Sequence, residues 1–402
     1  MNSKISWREL LPLYAVIFLG FLGFALTITL FIPMLMDKQF SLLSPSLSSS
    51  WRALLSGLLL AMYPLGQFVG SPIIGNLSDH FGRKKVLLIS LLACALGFMG
   101  MALSIEWHQL VLLFLSAFLT GLCESNMALS QSIIADGTDD GAHKTRLIGY
   151  AYSACSFGYF LGPLFGGSLG ASLGYSAPFW AAALGVLLVI AWVFYGLKNH
   201  SSPRGDQPVR IIKSLAAIKT LFDQPKFYKF YLINFSIFFA VQGLYRVVPL
   251  YTMQHWSLSL HTYSYLIAYV SLICFVTNLI LLGPLSKKWS TKILLTIFLI
   301  FGGGLVILIV IPDQFHWIYL TYGLAVIPTV MALPLCTTWL SMHAASHEQG
   351  QILGNNQALL VLGEASSAGI GGALAAVSIS LPTIMMGVIL LITGVAVFWS
   401  RR

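Results

Sequence analysis

Charge is what this sequence has least of. Asp, Glu, Lys and Arg make up only 9% of its 402 residues, against 57% apolar. A soluble domain of this length cannot cover its surface with so little charge, which leaves the bilayer as the solvent. Cysteine is scarce as well. Cys94, Cys123, Cys155, Cys274 and Cys336 all fall inside apolar segments, and none forms a Cys-x-x-Cys pair. They read as small packing residues, with no disulfide framework or zinc site implied. None of the nine histidines lies in the middle of an apolar segment, which argues against a His proton relay. The chain also has no phosphate-cradling glycine loop, no paired metal ligands and no nucleophile–base constellation. ATP-driven transport, membrane enzymology and a bound cofactor are therefore not expected.

What is present is a series of long apolar runs. A spanning helix needs about 20 mostly apolar residues. Twelve segments meet that need, near 11–34, 52–75, 86–104, 109–134, 148–172, 177–196, 228–253, 262–283, 292–312, 316–342, 351–374 and 379–400. The formal charge of +9 is distributed unevenly. With the N-terminus inside, one face holds Lys4, Arg8, Arg83, Lys84, Lys85, Lys144, Arg146, the 198–229 cluster, Lys287, Lys288, Lys292, Arg401 and Arg402. The other face holds Lys38 and Arg52. This asymmetry predicts both termini on the cytoplasmic side of the inner membrane. It accounts for the basic excess without nucleic acid. The basic start and unbroken first apolar run read as a retained helix rather than a cleaved signal.

The longest polar stretch divides the segments six and six. The expected organisation is an all-α membrane protein with an N-terminal six-helix bundle over 1–197, a cytoplasmic loop over 198–227 and a C-terminal bundle over 228–402. The piece Val209–Phe222 is a candidate surface helix or a plain linker. An internal repeat supports the division: Gly283 to Lys292 aligns without gaps on Gly75 to Lys84. The copies share the Gly, the Leu, the Ser, an aromatic and the final Lys, while Lys287 replaces Asp79.

The first copy is unusually dense in charge. Gly75-Asn76-Leu77-Ser78-Asp79-His80-Phe81-Gly82-Arg83-Lys84-Lys85 joins the second and third apolar segments. Gly75 and Gly82 permit a tight reversal and close helix approach. Asp79 is placed to cap a helix N-terminus. Arg83 is placed to pair with Asp136 at the end of the fourth segment, a contact that would latch one conformational state. The run resembles the signature loop of the major facilitator superfamily. That resemblance implies twelve helices in two six-helix bundles related by a pseudo-two-fold, working by alternating access on a small molecule.

In the fifth segment, Gly149, Gly158, Gly162, Pro163, Gly166 and Gly167 favour close backbone approach and a helix weakened at Pro163. Their spacing resembles the fifth-span motif of the superfamily's antiporters, which implies export. Ile134-Ala135-Asp136, residues 162–167, Ala177 to Ala182 and Gln349 to Gly354 resemble the tetracycline exporters and their drug:proton antiporter relatives. The chain departs from that group in three places. Residues 116–121 contain no Arg, residues 11–34 contain no acid, and the ninth segment has no acid in its middle.

Three charges lie well inside the expected spans: Glu124, Arg246 and Glu364. Such charges cost at least about 2.5–3.5 kcal/mol on insertion scales and face a partner or a cavity. One Arg cannot neutralise two carboxylates, so Glu124 or Glu364 is the candidate proton carrier, and Arg246 binds substrate or competes for the carboxylate. Gln131 lies seven residues after Glu124, Gln357 seven before Glu364, and Gln242 four before Arg246, each expected on the same helix face. Gln242, Asn126 and Gln357 are candidate substrate contacts. Gln67, Asn126, Asn234, Asn278, Asn355 and Asn356 also lie within spans, where helix–helix hydrogen bonding is expected for most of them and substrate contact for some. The expected activity is proton-coupled export of a small amphiphilic molecule or drug by a monomer in the lipid bilayer, with proton and substrate competing for overlapping groups. Arg246 also fits a siderophore or carboxylate-metabolite transporter. A non-transporting sensor on the same fold is the alternative of another class, and the intact latch loop argues against it.

Overall fold

The computed structural model describes residues 5–40, 42–124, 126–137, 141–198, 225–281, 284–285, 288–344 and 349–400, with backbone alone at 79, 126–127, 135–136, 141–145, 225 and 349–351. The piece 209–222 lies outside the described residues. Thirteen long helices run through the rest: α1 Trp7–Met36, α2 Ser49–Phe81, α3 Arg83–Glu106, α4 Leu110–Cys123, α5 Asn126–Asp136, α6 Gly141–Leu173, α7 Ala177–Gly196, α8 Tyr228–Trp256, α9 Leu260–Ile280, α10 Thr291–Leu308, α11 His316–Ser341, α12 Gln349–Val377 and α13 Leu381–Trp399. They account for all twelve expected segments, the fourth being built from two helices. Among the described residues, eleven spans are long and apolar enough to cross a membrane. The remaining one, α6, has 33 residues but carries many Gly, Ser and Tyr. Packing against neighbours, rather than hydropathy, holds such a helix.

The chain divides into two compact units, Met1–Leu30 with Met62–Ala217 and Phe31–Ala61 with Ile218–Arg402. Within the first, α3 packs on α4 and α7; within the second, α10 packs on α11 and α13. In span numbering these pairings are the same, third with fourth and sixth, then ninth with tenth and twelfth. The repeat seen in sequence is thus also a repeat of packing. The second unit's core gathers around α8, whose Ile237, Phe238, Leu244 and Val248 belong to one apolar cluster with Leu295, Val306 and Met386. Phe238 and Trp339 are part of this core.

Helix ends set the local detail, because their last carbonyls lack intrahelical donors. Arg52, at the start of α2, is 1% exposed. Its Nη1 donates to Leu35 O at 2.7 Å and Asp37 O at 3.1 Å, its Nη2 to Ser44 O at 2.8 Å and its Nε to Leu47 O at 3.4 Å. One guanidinium therefore ties the end of α1 to the connection leading into α2. At the other end of α1, the Ser6 backbone N–H and hydroxyl both donate to Glu9 Oε2 at 3.0 Å, so the carboxylate three residues on caps the start of the helix. Glu9 Oε1 accepts from the Lys198 N–H at 3.3 Å, where the chain leaves α7.

Arg52→Lys keeps the charge but not the planar fork that serves four carbonyls. It is expected to cost about 2 kcal/mol, read as a lower melting temperature in detergent. A melting temperature equal to that of the parent would show that the carbonyls find other donors.

Candidate functional site

The charged run between the second and third spans folds differently from a loop. α2 continues through Gly75 to Phe81 and α3 starts at Arg83, so the reversal is made at Gly82 alone. Gly82 has φ +92°, a left-handed conformation that glycine adopts without strain. Its N–H closes the last turn of α2 on Ser78 O at 3.1 Å, and its carbonyl accepts the Val86 N–H of α3 at 3.2 Å. The N-cap of α3 is Gly82, and the Asp79 backbone sits in the last turn of α2. Gly75 is helical, and a methyl built on it would meet no described atom within 4 Å, so close approach is not its role in this conformation. Arg83 opens α3 and is half-buried. The side chains of Asp79 and Asp136, the other latch candidates, lie outside the described residues.

Lys84 has a role that positive-inside reasoning missed. Its Nζ donates to Phe194 O at 2.9 Å and to Leu197 O, at the C-terminal end of α7, and lies 5.6 Å from the Phe194 ring centroid. Lys292, the residue aligned with Lys84 in the repeat, donates to Ser400 O at the end of α13. Each lysine thus meets the negative end of the last helix dipole of its half. The final Lys shared by the two copies was the signal in the sequence.

The fifth-span glycines face the first span. A methyl built on Gly158 would lie 2.5 Å from Phe18 O, on Gly162 2.6 Å from Ala25 Cβ and on Gly166 2.6 Å from Leu26 Cδ2. Gly149 has open space instead. Pro163 and Gly167 are buried, and α6 passes through Pro163 as one helix rather than breaking there.

The intramembrane charges fall in two environments. In the second unit, Arg246 on α8 and Glu364 on α12 form a buried ion pair, Nη2 to Oε1, and Arg246 Nη1 also donates to Gln242 O at 3.1 Å. Gln242 contributes a backbone carbonyl, and Gln357 is exposed rather than beside the buried Glu364. Asn234, Asn355 and Asn356 bond helix to helix as expected. Asn234 Nδ2 donates to Asn356 Oδ1 at 2.7 Å, Asn356 Nδ2 to Thr337 Oγ1 at 3.0 Å, and Asn355 Nδ2 to Tyr231 OH at 3.2 Å.

Glu124 belongs to the first unit and has no cation beside it among the described residues. It lies between α4 and α5 with φ −92° and ψ 80°, off the helix. The fourth span is therefore discontinuous. The helical phase is not carried across the break, so Gln131 does not share a continuous helix face with Glu124. Glu124-Ser125-Asn126 is a run of three polar residues in mid-span, and such side chains compete with helix hydrogen bonds. That run was the available signal for the break. Gln67 Nε2 donates to Glu124 O at 3.4 Å, while Glu124 Oε2 is buried without a partner. Asn126 opens α5, and its side chain lies outside the described residues.

The family model described as Major Facilitator Superfamily matches residues 13–354 and 247–402. The chain belongs to the major facilitator superfamily. Its members are membrane transporters rather than enzymes, and this chain is a multi-pass transporter with the superfamily's twelve spans in two six-helix bundles. It is 28% identical over 316 residues to the class G tetracycline resistance protein of Vibrio anguillarum, covering 74% of this chain and 75% of that one. It is 25% identical over 351 residues to multidrug resistance protein 2 of Bacillus subtilis (strain 168), covering 86% of each. Among solved structures, the human organic anion transporter MFSD10 (TETRAN) matches 99% of this chain and 100% of its own, with TM-score 0.72 and 17% identity. A D-xylose–proton symporter matches 97% of this chain and 98% of its own, with TM-score 0.72 and 15% identity. These structural likenesses speak to the fold.

The lysine clamps and the glycine contacts can each be tested by substitution. Lys84→Met and Lys292→Met each keep the stem and remove the cap, and each is expected to cost about 1 kcal/mol, measured by thermal unfolding in detergent. Equal melting of both variants and the parent would leave the lysines as topological anchors. Gly158→Val is expected to cost about 2–3 kcal/mol by forcing α6 off α1. Gly149→Ala should be neutral or slightly stabilising.

Proposed function

We propose that this transporter exports small amphiphilic molecules from the cytoplasm in exchange for protons, by alternating access. The observation that carries this reading is the contrast between its two buried acids. Glu364 is paired with Arg246, whereas Glu124 is 8% exposed with Oε2 unpartnered. An ionised carboxylate at such a depth pays a large desolvation cost unless a cation or a proton offsets it. Glu124 has no neighbouring cation among the described residues, so a proton takes that role. The tetracycline and multidrug resistance relatives support export of a drug-like molecule. In this reading substrate disturbs the Arg246–Glu364 pair, and the resulting rearrangement is linked to proton release. Arg83 and Asp136 latch one state of the cycle, with the bundles over 1–197 and 228–402 rocking about the 198–227 loop. The protein works as a monomer in the inner membrane with both termini cytoplasmic.

Arg246 supports a second reading, transport of a carboxylate such as a siderophore or metabolite. There the ligand carboxylate would replace Glu364 on the guanidinium, a bidentate exchange that Arg geometry favours.

Inverted membrane vesicles energised by a pH gradient test both readings. Glu124→Gln is expected to keep the fold and to lose substrate-dependent proton release with a panel containing tetracycline and ethidium. Normal release in that variant would sink Glu124 as carrier. Glu364→Gln leaves a buried guanidinium without its carboxylate and is expected to cost about 3–5 kcal/mol in stability. A response confined to polycarboxylates would select the second reading.

A further inference from the structure

Glu124 does not point into a roomy space. The residue lines a small cavity inside the first unit, together with Val16 and Leu19 of α1, Cys94 and Phe98 of α3, and Val186 and Val189 of α7. The space is on the order of one water molecule. Apart from Glu124 and Cys94 the lining is apolar, so Glu124 is its one ionisable acid.

The surroundings of the break repeat the same shortage of partners. Tyr63 OH on α2, and Ser130 Oγ and Gln131 Nε2 on α5, are also buried without partners among the described residues. Tyr63 is close to the end of α4, since a methyl on Gly121 would lie 2.0 Å from Tyr63 O. A buried polar atom left unmet costs about 1–3 kcal/mol, and ordered water is the usual remedy.

The chemistry of the wall decides what the cavity admits. A hard metal cation such as Na⁺ needs several oxygen ligands, and this wall offers a single carboxylate. An amphiphilic drug is many times larger than the space. A proton needs one carboxyl oxygen and one water to carry it. We propose that this cavity is a proton-only compartment. Water and hydronium reach Glu124 there, the transported organic molecule does not, and proton and substrate therefore do not compete for this residue. Coupling must then pass through the α4–α5 break itself, whose backbone carries the carboxyl at one side and the Gln67 contact at the other. This rests on the reading of Glu124 as proton carrier, and it replaces competition for overlapping groups with separate sites.

Infrared difference spectroscopy on the purified full chain tests it directly. Wild type minus Glu124→Gln isolates the Glu124 carboxyl bands. In wild type these bands are expected to shift in D₂O as promptly with saturating tetracycline or ethidium present as without, since a bound molecule elsewhere does not block the cavity. Val186→Phe fills the cavity, and it is expected to slow the D₂O shift about tenfold, since exchange then waits on local opening. Val189→Leu is the milder filling variant should Val186→Phe fail to fold, with slowing in the same direction. Exchange as fast as wild type in a folded filling variant would overturn the compartment, and so would exchange blocked by either bound probe. Proton release in vesicles separates the two claims. If the infrared results are as expected and Glu124→Gln still couples normally, the water site stands and the role of Glu124 as carrier falls.

Discussion

A bilayer offers no water to the carbonyls at the end of a helix, so each must find a donor within the protein. Much of the architecture answers that constraint. Arg52 serves four carbonyls around the end of α1. Lys84 and Lys292 serve the ends of α7 and α13, and Gln67 reaches the carbonyl freed at the break in the fourth span. A chain with 22 cations and 13 acids in 402 residues places several of its few cations on backbone rather than on carboxylates. A cation at a helix C-terminus gains from the dipole and from charge-assisted hydrogen bonds without desolvating an anion.

The same constraint explains why the two buried acids differ. Glu364 sits within an unbroken helix, where backbone groups are satisfied, and its charge is met by Arg246 on the neighbouring α8. Glu124 sits where the helix is interrupted, so the residue brings both an unmet carboxyl oxygen and an exposed backbone junction into the bundle. An interruption in a spanning helix costs stability, and it is tolerated where it lines a cavity or is buried in protein. A transporter that must change shape has a use for such a point, because a junction already lacking helical bonds moves at less cost than an intact helix.

The internal repeat acquires a physical meaning through these contacts. What the two copies of the Gly-x-Leu-Ser run keep is the lysine that closes the last helix of each half, and what they lose is the acid at position 79, replaced by Lys287. The lysine clamp steadies each bundle as a body, and the proposed latch of Arg83 with Asp136 would belong to the first half alone.

By itself the sequence determined the bilayer setting, the twelve spans within a few residues of their ends, the family and the identity of the three buried charges. Those features follow from hydropathy and from the cost of charge in hydrocarbon, which are properties of each segment read alone. The Asn234, Asn355 and Asn356 bonds were legible for the same reason, since a polar side chain in a span must bond to a neighbour. Tertiary structure alone decided that Arg246 pairs with Glu364, because pairing depends on which helices are neighbours. It also decided that the Gly75–Lys85 run is nearly all helix, that Gly158, Gly162 and Gly166 face α1, that Arg52 caps the end of the preceding helix and that Lys84 caps one distant in sequence. The break at Glu124 lies between these cases. Three polar residues in a row were a signal that the reading of 109–134 as one segment left unused, and which cavity Glu124 lines is fixed by α1, α3 and α7 packing around it.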